Sequence, residues 1–232
     1  MGKWLWFGLI ALTAGFFLLV LPRLEKRNRA QRLDKVYAPV KMTGSQIQEI
    51  FSQLPEVPEG AVVFSGNSLT YGFPFEQLGD KAFINHGVPG AFVSTMILQT
   101  ESLHDAKPEM LFLEGGINDL LSGSSADEVC RSWGALLDKL TAELGDTRIV
   151  VQSVLPVSIQ KPGIHEAVRK VNAFLYAECM KRGLVFADIH TRLQQNGQLG
   201  YRFSTDGVHL TPDGYAVWVE TIKPLLPRKT TN

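Results

Sequence analysis

The chain has 232 residues, 45% of them hydrophobic, and its 23 Lys/Arg balance 23 Asp/Glu. That is material for one large domain plus an appendage. Residues 1–41 hold eight basic and two acidic side chains and the remainder fifteen and twenty-one, so the globular part is net acidic, without the basic footprint of a nucleic-acid binder.

Trp4 to Leu21 is a run of 18 residues without a charge, long enough as a helix to span about 27 Å, close to the hydrocarbon thickness of a bilayer. It ends in Leu-Val-Leu-Pro-Arg, with no small-residue cleavage site, so we expect an uncleaved anchor over residues 1–22 and treat a cleaved signal peptide as the rival. Trp4 and Trp6 suit the interfacial aromatic belt. A basic juxtamembrane connector follows over 23–43, with Arg23, Lys26, Arg27, Arg29, Arg32 and Lys35 placed to lie on anionic headgroups.

From residue 44 to 232 the pattern predicts one domain. Ile47, Ile50, Phe51 and Leu54 recur at helical spacing over 43–54, and Pro55 and Pro58 stop that helix. Short apolar runs at 61–65, 82–85, 110–114, 149–154 and 184–189 read as five buried strands. Helices are expected between them at 91–104, 125–144 and 164–181, and a last one opens at Thr211-Pro212, a capping hydroxyl before a proline in the first turn. This alternation predicts an α/β fold, a three-layer α/β/α sandwich around a five-stranded parallel sheet of flavodoxin-like order. Cys130 and Cys179 fall on two of the helices and make no disulfide framework.

Four polar stretches fall where strands end or the last helix begins. In the first, Gly66-Asn67-Ser68-Leu69-Thr70, a glycine turn presents a serine at the carboxyl edge of the first strand, where α/β sheets bind ligands. The others are Asn85 to Gly90, Gly115 to Asp119, and Asp206-Gly207-Val208-His209. Acyl transfer needs a nucleophile, a base and donors for an oxyanion. We assign Ser68 as nucleophile, His209 as base and Asp206, three residues earlier, as the carboxylate that fixes the imidazole tautomer. The Ser68 and Gly90 backbone N–H groups and the Asn118 side chain are the oxyanion donors. Asp188 is the fallback carboxylate. Each stretch has a plain alternative as a turn, a cap or a core histidine; four in this order do not.

These stretches resemble the conserved blocks of the SGNH (GDSL-type) hydrolases, in a branch similar to platelet-activating-factor acetylhydrolase-like esterases. The resemblance covers about residues 44–226, with Asp206-Gly207-Val208-His209-Leu210 its most specific part and Val151 to Pro156 similar to the family's fourth strand. It implies a serine esterase without metal or organic cofactor. His86, His104, His165 and His190 likewise show no metal-ligand spacing. Asn67 departs from the family, which usually carries Asp before the serine. Because that residue is outside the triad, altered loop hydrogen bonding is expected and not loss of activity.

The leading expectation is a membrane-anchored esterase acting on O-acetyl or O-acyl groups of a carbohydrate or lipid. Phe73, Phe75, Leu120, Leu121 and Val157 either line its rim or simply pack. Two alternatives stand beside it: an O-acyltransferase working with a membrane acyltransferase partner on an envelope polysaccharide, and a non-catalytic assembly subunit. The basic residues after the span favour a cytoplasmic domain, whereas anchored relatives commonly face outside. We place the domain on the extracytoplasmic (periplasmic) side, since long domains translocate despite flanking charge.

Overall fold

The computed structural model describes residues 49, 52–79, 81–100 and 103–227, all within the unit spanning residues 39–232. The expected anchor, the basic connector and most of the helix over 43–54 lie outside them. Among the described residues no helix is long and apolar enough to cross a membrane.

Five parallel strands form the sheet: β1 (Val62–Gly66), β2 (Phe83–Gly87), β3 (Met110–Leu113), β4 (Arg148–Gln152) and β5 (Val185–Ala187). Their order is β2-β1-β3-β4-β5, with Val63 beside Ile84 and Leu111, and Leu111 beside Ile149. β1 and β3 are buried along their whole length, whereas the edge strands β2 and β5 are only partly so. That follows from sequence: a strand covered on both faces is a continuous apolar run. The order reverses between β1 and β3, and open α/β sheets bind their ligands outside the carboxyl edge at such a switch point.

The helices in chain order are α1 (Ser68–Tyr71), α2 (Val93–Gln99), α3 (Leu103–Ala106), α4 (Ile117–Leu121), α5 (Ala126–Glu143), α6 (Ile164–Arg182), α7 (His190–Leu193) and α8 (Pro212–Ile222). α2, α5 and α6 pack in sequence against one another. On the other face, Phe64 stacks on Phe112 at 4.4 Å and meets Phe73, Phe75 and Phe83, and Phe73 passes the contact to Tyr215 and Trp218 of α8.

Several boundaries differ from expectation for visible reasons. The single helix expected over 91–104 begins only at Val93, because Phe92 is extended, and stops at Thr100, whose hydroxyl bonds back to the Ile97 carbonyl. β4 ends at Gln152 and not Val154, because the Asn172 side chain takes both the N–H and the C=O of Val154. β5 ends at Ala187 because the N–H groups of Ile189 and His190 turn to the Ser153 hydroxyl. A small antiparallel hairpin, β6 (Gln194–Gln195) with β7 (Gln198–Leu199), was not anticipated. Its turn is Asn196-Gly197, both at positive φ, the usual chemistry of a two-residue hairpin. Cys130 and Cys179 are unbonded.

Phe64 has no exposed surface and touches four other rings. Phe64→Ala should destabilise the domain by about 3–5 kcal/mol, read as a lower midpoint in urea with an unchanged m-value.

Candidate active site

The chain can turn sharply after β1 because Gly66 and Gly87 carry no side chain. A Cβ on Gly66 would lie 2.3 Å from Thr70 Oγ1 and 2.6 Å from the Glu114 carbonyl, and one on Gly87 would lie 2.3 Å from the Tyr71 nitrogen. α1 therefore starts directly at the sheet edge. Asn67 is its N-cap, its Oδ1 accepting the Leu69 N–H at 2.8 Å. Ser68 follows as the first helical residue, and its own N–H has no intrahelical acceptor.

Ser68 Oγ lies 3.0 Å from His209 Nε2, and His209 Nδ1 lies 2.7 Å from Asp206 Oδ2. The other Asp206 oxygen accepts the N–H groups of Val208 and His209, each at 2.8 Å. Burial alone would push the Asp206 carboxyl up; the hydrogen bonds from the His209 ring and from those two N–H groups outweigh it and hold the acid well below the usual carboxylate range. As an ionised acceptor Asp206 keeps the ring proton on Nδ1, leaving Nε2 to accept from the Ser68 hydroxyl. The side chains of His209 and Asp206 stay 37% and 38% exposed, so the site is open to solvent.

Two of the three oxyanion candidates, Asn118 and Gly90, lie on segments tied to each other. Asn118 sits in the first turn of α4, and its Nδ2 donates to the Ala91 carbonyl at 3.0 Å, which joins α4 to the loop carrying Gly90 and leaves a second amide N–H uncommitted. Gly90 is exposed at φ +80. Asp119 caps the start of α2 by accepting the Val93 N–H, and burial pushes its carboxyl up to about 6 against that bond.

Some of the residues that brace this arrangement carry no recognisable motif. Lys161 Nζ donates to the Leu120 and Leu121 carbonyls at 2.8 and 2.6 Å, closing the end of α4. The same loop is fastened to the Asp206–His209 segment by the Ser158 N–H on the Gly207 carbonyl. Tyr215 Oη donates to the Leu69 carbonyl at 3.0 Å, tying α8 to α1.

A family model for the GDSL-like lipase/acylhydrolase family matches residues 64–217. The chain belongs to that family. Solved structures with the same fold include a GDSL-like lipase from Bacteroides thetaiotaomicron VPI-5482, 19% identical with a TM-score of 0.67 over 78% of this chain and 95% of that one. A member of the lipolytic G-D-S-L family from Veillonella parvula DSM 2008 is 21% identical with a TM-score of 0.63 over 72% of this chain and 98% of that one. Among curated proteins, an N-acylneuraminate cytidylyltransferase of Streptococcus agalactiae is 23% identical over 176 residues, 72% of this chain. The match covers 40% of the length of that relative.

Other residues named from the sequence have structural places in this family member. Asp188 caps α7 by accepting the Thr191 N–H and hydroxyl. His86 is buried and its ring nitrogens face the Pro55 and Gln99 carbonyls. Phe73, Leu120 and Val157 are buried in packing.

Because the folded Asp206 carboxyl is depressed, its contribution to stability is present above the ordinary aspartate range and lost as pH falls through its folded value. Asp206→Asn should therefore lower the Tm at pH 6, and the gap to the parent should narrow as the pH drops below about 4, measured by thermal melts across pH.

Proposed function

We propose that the protein is a serine ester hydrolase that forms an acyl-enzyme on Ser68, acts on O-acetyl or short O-acyl groups of a carbohydrate or lipid, and is held at a bilayer by residues 4–21 with its domain on the extracytoplasmic side. The observation that carries the chemistry is the hydrogen-bonded series from Ser68 Oγ through the His209 ring to Asp206 Oδ2. In this mechanism Ser68 Oγ attacks the ester carbonyl while His209 Nε2 takes its proton and then gives it to the leaving alcohol. Water, activated by the same nitrogen, releases the acid. Asp206 stabilises the imidazolium formed on the way. The N–H groups of Ser68 and Gly90 and the Asn118 amide receive the negative charge that develops on the carbonyl oxygen.

Three observations support the substrate class. The exposure of His209 and Asp206 suits an ester carried on a large alcohol, which an enclosed pocket would exclude. Phe73, Leu120 and Val157 are committed to packing, which favours a short acyl group. The Streptococcus agalactiae relatives are named for N-acylneuraminate, an acylated sugar, which agrees with a carbohydrate alcohol. The bilayer assignment rests on the uncharged run from Trp4 to Leu21 and the basic residues after it.

A fluorophosphonate probe should label the purified protein and fail to label Ser68→Ala, which should lose at least about 10⁴-fold in kcat on aryl acetates. Asn118→Ala should keep the label and lose about 10²–10³-fold in kcat. Labelling that survives Ser68→Ala would overturn the nucleophile. If acyl groups passed to a polysaccharide hydroxyl faster than to water, the enzyme would be a transferase using the same intermediate. On cell fractionation the full chain should sediment with membranes and a chain starting at residue 44 should not.

A further inference from the structure

Glu114 follows β3 directly, fully buried behind α1, and the chemistry above makes no use of it. Asn67 Nδ2 donates to its Oε1 at 3.3 Å, and Thr70 Oγ1 stands 3.5 Å from its Oε2. Asn67 and Thr70 flank Ser68 in sequence, and Asn67 is also the cap on α1. Asn67 thus uses both halves of its amide: the oxygen accepts from Leu69 and the nitrogen donates to Glu114. An aspartate at 67 could cap the helix and keep the backbone N–H on Glu114, but it would lack the side-chain N–H that Asn67 adds. The departure from the family's usual aspartate and the buried acid therefore form one matched pair.

We propose that Glu114 is a positioning residue for the Ser68 reaction: by holding Asn67 and Thr70 it fixes the turn that aims Ser68 at His209. The proposal rests on Ser68 being the nucleophile.

Among the described residues this carboxyl forms no ion pair, and its hydrogen-bond partners are neutral. The turn after β1 and α1 present Asn67 and Thr70, both neutral. β4 presents Gln152, one residue beyond the Leu113–Val151 pair, on the same face of the sheet; its Oε1 accepts from Trp218 and its Nε2 is buried without a hydrogen-bond partner. α8 presents Tyr215, whose hydroxyl burial and the Glu114 charge push up to about 12, so it keeps its proton. Of the catalytic groups, the Asp206 carboxylate bonds to the His209 ring, and that ring bonds to Ser68.

Burial pushes the Glu114 carboxyl up to about 8, against the hydrogen bonds from Asn67 and Thr70. Its folded value lies above the unfolded one, so its neutral form favours the fold at low pH and that contribution is lost as pH rises through about 8. Ionisation there leaves an unpaired buried anion beneath the nucleophile, and the turn should shift to relieve it.

The test is the pH dependence of kcat and KM for an acetyl ester, with circular dichroism at each pH. The parent should lose at least about fivefold in kcat between about pH 7.5 and 9.5 with KM changed less than about twofold. Glu114→Leu should lose at least about tenfold in kcat at pH 7, and Glu114→Gln, which keeps an acceptor for Asn67 and an amide toward which the Thr70 hydroxyl can turn, should recover most of that loss and flatten the alkaline fall. A Glu114→Gln profile that falls with the parent's, or a folded Glu114→Leu with full kcat, overturns the proposal. Should neither variant fold, carboxyl-labelled glutamate in the parent decides by NMR. Glu114 should titrate over the range in which kcat falls, and titration completed below about pH 6 overturns the proposal. Failure of the nucleophile assignment would show separately, as activity retained in Ser68→Ala.

Discussion

The docking of α8 against α1 and the sheet is the contact on which the site depends. His209 is brought to Ser68 from 141 residues away, and α8 begins only three residues after it, capped by the Thr211 hydroxyl with Pro212 in its first turn. Trp218, fully buried, anchors the helix by donating to Gln152 at the end of β4 and by packing on Phe73. Tyr215 closes the other end on the Leu69 carbonyl. Without that packing the Asp206–His209 segment would be a local loop with its own internal hydrogen bonds and nothing to act upon. Hydrophobic burial sets the position of the helix, and the polar contacts at its ends set the fine register of the two halves.

Three carboxyl groups around this edge titrate over different ranges because of their surroundings. Asp206, half-buried, collects N–H donors and stays ionised. Asp119 and Glu114 are deeper, and burial raises both, to about 6 and about 8. The same functional group thus serves as a charged orienter of an imidazole, as a helix cap tying α2 to α4, and as a neutral brace under the nucleophile turn.

The elements were legible wherever the chain repeats a simple period. Apolar runs such as Val62-Val63-Phe64 and Met110-Leu111-Phe112 announce buried strands because both faces of a parallel sheet are covered. Thr211 with Pro212 marks a helix start by chemistry that is local. Boundaries moved where a distant side chain competed for the backbone, as Asn172 does at Val154 and Ser153 at Ile189. The Asn196-Gly197 hairpin carries the turn dipeptide, but strands of only two residues each are too short to show a period.

Sequence alone determined the order of the five sheet strands and the long helices, the parallel class of the sheet and the short list of chemically competent residues, because period, capping and turn chemistry act over a few neighbouring positions. Only the tertiary structure decided which of those residues meet. It set Ser68 beside His209 and left Asp188 as a helix cap, and it joined Asn118 to Ala91. Phe73, Leu120 and Val157 went into packing, and Glu114 came to lie under the Ser68 turn with no motif to announce it. These are encounters between segments far apart in the chain, fixed by how the layers fill space together, and no local pattern of residues encodes them.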